Sequence, residues 1–147
     1  MKNAYIWIGG IALVLASATD VLAVVGRHIG VPLRGSIELV QAFILVAGGI
    51  ALIIATHAGS HARVHILADR MSPPWKARVE RVAAALSALL ICAFLAGGLW
   101  IAADLWGSQE VSELLHLPYR VLRIICNVCL LLVLLAWLRK VLGRERP

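Results

Sequence analysis

Five histidines and three cysteines are the side chains best suited to hold a metal or carry electrons, and three of the histidines are regularly spaced. In "HAGSHARVHIL", residues 57–67, they stand at positions 57, 61 and 65. On a helix that spacing keeps the rings on one side, drifting about 40° per step, the geometry a metal or haem ligand set wants. His57, His61 and His65 nevertheless lie at or past the end of a long apolar run, where Gly59 can end the helix. A membrane haem b needs axial histidines within apolar blocks, facing each other from two helices. His28 and His116 do not supply them, and no cysteine or carboxylate cluster completes a closed metal shell. No metal and no cofactor is expected. Cys126 and Cys129 form a C-x-x-C, the pattern of a redox or metal pair. Flanked by Ile125, Val128 and Leu130 in an apolar run, these thiols would be hard to ionise and hard to reach. With Cys92 they are an odd set that gives no disulfide framework, and they read as small packing residues.

The elements that must position these residues follow from composition. The chain is 61% hydrophobic and 15% charged over 147 residues, well above the apolar share of a soluble domain, which points to the membrane. One domain, 1–147, fits this length. The net charge is +6, but the basic residues sit between apolar blocks instead of gathering with aromatics on one face. Nucleic acid is not an expected partner, whereas flanks of membrane spans look like this.

Four apolar stretches can each cross about 30 Å of hydrocarbon: approximately 4–25, 37–56, 82–106 and 118–138. The fold class is all-α, an integral membrane bundle of four transmembrane helices. The first stretch is kept as a span and not a cleaved leader, because Asp20 and further apolar residues follow its small-residue pattern at once. An even number of spans puts both termini and the connection between spans two and three on one side. That side carries Lys2, Arg63, Arg70, Lys76, Arg78, Arg81, Arg139, Lys140, Arg144 and Arg146. Only Arg27, Arg34, Arg120 and Arg123 of the fourteen basic residues face the other, which orients both termini to the cytoplasm. Trp7, Trp75 and Trp137 then mark the inner surface, and Trp106 and Tyr119 the outer. Ser72 with two prolines starts span three, and Pro118 suits the first turn of span four. Gly48-Gly49 and Gly97-Gly98 sit mid-span with Ala47, Ala51 and Ala55, and permit the close helix approach that lipid does not drive.

Charges inside the spans need partners. Asp20 and Arg123 lie at matching depths, where an unpaired charge costs on the order of 2–3 kcal/mol before snorkelling. The expectation is that Arg123 is neutralised by Asp20 or by Asp104, near the outer end of span three. A proton or cation relay at Asp20 is the functional alternative, but only Thr19 and Ser17 lie below it before a fully apolar run, so the structural reading is preferred. Asn127 is expected to make an interhelical hydrogen bond.

The stretch from Gly26 to Leu67, "GRHIGVPLRGSIELVQAFILVAGGIALIIATHAGSHARVHIL", resembles the signature region of the small membrane subunit (DctQ-like) of tripartite ATP-independent periplasmic, or TRAP, transporters. The correspondence runs through Arg27, Pro32, Leu33, Gly35, Glu38, Leu39, Gly49, His61, Arg63, Val64 and Leu67. His65 stands where that family usually has aspartate, which puts in doubt any salt bridge made there. Physically, Pro32 and Gly35 make a tight turn, Ser36 can cap span two, and Glu38 suits the positive end of the helix dipole. Arg27 and Arg34 are close enough in sequence to clamp Glu38. These three charged residues could also form a rim that touches a partner.

The resemblance implies a non-catalytic scaffold that associates stably with a large TRAP permease subunit, among membrane lipids in the bacterial inner membrane. It implies transient contact with a periplasmic substrate-binding protein, and sodium-coupled uptake of a carboxylate-type organic anion. The discontinuous helices or inverted repeat of a carrier are not seen. The alternatives are a haem-anchoring subunit of a respiratory enzyme, a small multidrug exporter, for which Asp20 is too near the outer edge, and a four-helix membrane protein of unrelated role. Contact with the large subunit is expected through the small-residue faces of spans two and three.

Overall fold

The computed structural model describes residues 2–58 and 72–142. Long stretches with no proline past the first turn and rich in Leu, Ile, Val and Ala satisfy their backbone hydrogen bonds internally, as a chain in lipid must. They form α1 (Lys2–His28), α2 (Ser36–Ala58), α3 (Pro73–Asp104) and α4 (Tyr119–Val141). Within these, Tyr5–His28, Ser36–Ala58, Arg78–Asp104 and Tyr119–Val141 are long and apolar enough to cross a membrane. The fold is the expected all-α four-helix membrane bundle, with boundaries within a few residues of those read from hydropathy. The largest shift is at α3, which starts at Pro73 and carries Lys76, Arg78, Glu80 and Arg81 ahead of the expected apolar stretch; α1 likewise continues through Gly26, Arg27 and His28. Polar side chains end a hydropathic run but not a helix; the backbone continues until a residue permits reversal.

The helices pack in the order α1, α2, α4, α3, so α4 sits inside beside both α2 and α3 while α1 and α3 flank the row. The seams are made of small residues. On α1 the buried face is Ala12, Ala16, Thr19 and Ala23, at three- and four-residue spacing, and on α3 it is Ala84, Ala88 and Leu95, one and then two turns apart, so each set keeps one stripe on one side. On α4 Val133 and Ala136 are almost fully enclosed. Elsewhere large apolar side chains point outward; Trp100 is 77% and Trp7 70% exposed, as surfaces meant for lipid or another membrane protein are.

Predicted starts are met in part. Ser72, in extended conformation, precedes α3, and two prolines occupy its first helical positions. Pro118 lies just before α4 instead of inside its first turn. Cation–aromatic pairs mark both ends of the row. Arg78 lies 5.5 Å from the Trp75 ring centre and Lys140 5.0 Å from that of Trp137 at the end carrying the termini, and Arg120 lies 5.0 Å from that of Trp106 at the opposite, loop end. Aromatic and basic side chains at these levels are what the two membrane–water boundaries favour.

Candidate functional site

The loop end gathers most of the residues singled out in the sequence. α1 stops by a Schellman arrangement: the Val31 amide donates to the Gly26 carbonyl at 2.8 Å, and Gly30 takes the left-handed conformation, φ +78°, that this 6→1 bond needs. Gly26 is required as well, because a Cβ there would collide with the Val31 carbonyl oxygen. The chain then reverses through Pro32 and Leu33 to Gly35, whose φ is +77°. The Gly35 carbonyl accepts the first bond of α2, from the Leu39 amide at 3.2 Å. The helix is thus capped at Gly35, and Ser36, the expected cap, is its first residue. Glycine wins because the turn arrives with a positive φ that serine rarely adopts.

Glu38 therefore lies in the first turn of α2, half-buried, and its carboxylate reaches across to the α3–α4 loop. Ser112 Oγ donates to Glu38 Oε2 at 2.7 Å, the Leu115 amide to Oε2 at 2.8 Å and the Leu114 amide to Oε1 at 3.0 Å. The loop is shaped to offer these donors. The Ser112 amide donates to the Leu117 carbonyl at 2.9 Å, and the His116 amide to the Ser112 carbonyl at 3.2 Å. The Leu117 amide donates to Ser112 Oγ at 3.0 Å, and His116, with φ +53°, closes the turn. Ser112 is 1% exposed. Glu38 thus does for the 112–116 turn what an N-cap side chain does for a helix, from 74 residues away in sequence, and its charge suits the converging amides. Gly35 completes the junction from below: a Cβ there would lie 2.7 Å from Leu115 Cγ. The site holds a hydrogen-bonded carboxylate in a preformed nest, and the Ser112 hydroxyl beside it is engaged with both Glu38 and the Leu117 amide. Its chemistry is to fix two loops against each other.

The same loop is tied to α4. Arg123 Nη2 pairs with Glu110 Oε2 at 2.5 Å, and Arg120 Nη2 donates to the Trp106 carbonyl while its guanidinium stacks on that ring. These contacts correct two expectations. Arg123 is neutralised by Glu110, not by Asp20 or Asp104, because the loop folds back over the start of α4 and delivers a closer carboxylate. Arg27 and Arg34 do not clamp Glu38: Arg27 Nε donates to the Ala23 carbonyl of its own helix at 3.3 Å, and Glu38 is already satisfied by the loop.

The family model for the DctQ component of tripartite ATP-independent periplasmic transporters matches residues 18–146. The chain belongs to the DctQ family. It is therefore a small membrane subunit of a TRAP transporter, and with four spans it is a multi-pass inner-membrane protein. No curated protein and no solved structure matches it.

In this DctQ chain the remaining motif residues scatter. Gly49 lies mid-span, where a Cβ would stand 2.7 Å from Cys129 Sγ of α4, so the thiol of the C-x-x-C packs over a glycine. Gly98 faces Asn127, whose Nδ2 donates to the Gly98 carbonyl at 3.2 Å; this is the expected interhelical bond. Gly48 and Gly97 face open space. The small-residue faces of spans two and three are thus partly used inside the chain, against α4. Pro32 is an exposed loop residue. His61, Arg63 and His65 lie outside the described residues, and His57 is exposed in the last turn of α2. Among the described residues no three His, Cys, Asp or Glu side chains gather at one point. Asp104 ends α3 and Asp20 lies on α1, both exposed. Sequence reasoning missed Gly30, Ser112 and Glu110. Gly30 was signalled by its place after Arg27 and His28 and before a proline; nothing local signalled the other two.

Proposed function

We propose that this DctQ subunit is a non-catalytic scaffold, a single domain over 1–147, that holds a large permease subunit in the membrane for sodium-coupled uptake of a carboxylate-type organic anion. The observation that carries this reading is the family match over residues 18–146. The geometry supports it. Thr19 and Thr56 hydroxyls return to the carbonyls of Leu15 and Leu52, each at 2.7 Å, and Asn127 bonds Gly98. These three side chains inside the spans thus bond the chain to itself, which suits a rigid support better than a moving carrier.

The charge distribution of the sequence supports a topology with both termini in the cytoplasm. The Glu38 junction then faces the periplasm, where a substrate-binding protein arrives, and its locked loops offer that protein a preformed surface. The test is uptake into proteoliposomes holding the large subunit and supplied with the binding protein, a sodium gradient and a panel of labelled carboxylates. Uptake that requires this chain is expected. Equal uptake without it would overturn the scaffold reading.

A further inference from the structure

The scaffold reading leaves open which face meets the large subunit, and an unneutralised carboxylate marks one. Asp20 stands eight residues before His28, the last residue of α1, hence about 12 Å below the end of the helix. It is exposed and, among the described residues, has no hydrogen-bond or ion-pair partner. Two cations are engaged elsewhere: Arg123 with Glu110, and Arg27, on the same side of α1, with the Ala23 carbonyl. Asp20 is too short to snorkel to the surface from this depth as lysine or arginine would.

A second feature adjoins it around the helix. Ser17, one turn away, is exposed and its hydroxyl also has no partner among the described residues. Ser17 and Ala18 form the floor of a shallow notch walled by Leu13, Val14, Val21 and Leu22. Small residues between larger ones let a second helix approach closely. Asp20 lies beside the alanine seam by which α1 packs on α2, Ser17 follows about 60° further round, and the notch continues beyond Ser17 on the side of α1 turned away from α2; α1 flanks the row.

Resting on the scaffold reading, we propose that this face of α1 is a docking site for a transmembrane helix of the large permease subunit, which presents a basic side chain to Asp20. Charge selects this occupant. A lipid tail cannot satisfy a carboxylate at this depth. A second copy of the chain packed in parallel would set Asp20 against Asp20, and like charges in low dielectric repel. A basic side chain on a helix laid along the Ser17 edge of the notch reaches the carboxylate, and Ser17 supplies a further hydrogen bond.

The test uses the complex as assembled in membranes. A photo-crosslinking residue is placed at Ser17 or Val21, and Asp20→Leu and Asp20→Asn are made separately, with circular dichroism to verify the fold. Adducts with the large subunit from both positions are expected. Recovery of that subunit should fall on the order of tenfold with Asp20→Leu and less with Asp20→Asn. A complex that forms normally with Asp20→Leu, or that gives no adduct from either position, would overturn the docking site and leave the scaffold reading standing. Adducts joining two copies of this chain would overturn it in favour of a homodimer. Failure of the unaltered chain to recover any large membrane subunit would overturn the scaffold reading and the docking site together.

Discussion

Adjacent glycines in α2 differ in what surrounds them, so Gly49→Ala and Gly48→Ala should move stability in opposite directions. At Gly49 the new Cβ would lie 2.7 Å from Cys129 Sγ and 3.2 Å from its Cβ; at Gly48 it meets nothing within 4 Å. Ordinary contacts sit at about 3.5–4.0 Å, so α4 must move by roughly 1 Å or the thiol must rotate, a cost of about 1–3 kcal/mol. Both changes gain the same mid-helix preference of alanine over glycine, about 0.5–1 kcal/mol. That gain cancels in the comparison and leaves the contact alone. Gly49→Ala should therefore be less stable than Gly48→Ala by about 1–3 kcal/mol, at roughly 2–4 °C per kcal/mol for a chain of this length. The assay is thermal unfolding of the purified protein in mild detergent, followed by tryptophan fluorescence. A second arm adds Cys129→Ala, which removes the sulfur and should recover most of the loss as a favourable coupling in a double-mutant cycle. Equal midpoints for the two glycine variants, or no recovery with Cys129→Ala, would refute the α2–α4 packing described.

Gly35→Ala should lose about 1–2 kcal/mol from its positive φ and the Leu115 contact, whereas Gly10→Ala, facing open space, should lose nothing in the same unfolding assay. Glu38→Ala should speed hydrogen exchange at the Leu114 and Leu115 amides, with Glu38→Gln intermediate, read by mass spectrometry of the loop peptide; unchanged exchange would show that the loop holds its own shape. Asn127→Leu removes the bond to Gly98 and should cost about 0.6 and at most about 1.7 kcal/mol. A larger drop in the unfolding midpoint would mean that Asn127 supports more than this one bond.

What was legible in the sequence was whatever depends on runs and local turn chemistry. Hydropathy located four spans because lipid imposes one requirement on every residue of a crossing helix. Asn127 was legible as an interhelical donor because a mid-span amide has few other options. What escaped depended on how helices are rotated and which loops meet. Gly48 and Gly49 are identical letters, and only the position of α4 decides that the second is packed and the first open. Glu38 looked like a helix-dipole residue awaiting an arginine; its donors lie in a loop 74 to 77 residues away. Arg123 was assigned by depth to Asp20 or Asp104. The fold gave it Glu110 instead, because depth ignores the order of helices, which sets α1 at the edge of the row, away from α4.

The central claim, that this DctQ chain is the scaffold of a permease complex, is tested most directly by tagging it in its native host, extracting in mild detergent and weighing the intact assembly by native mass spectrometry. One large multi-span permease subunit in equal amount with this chain is expected. Recovery of the chain alone, or with a haem-bearing respiratory enzyme, would contradict it.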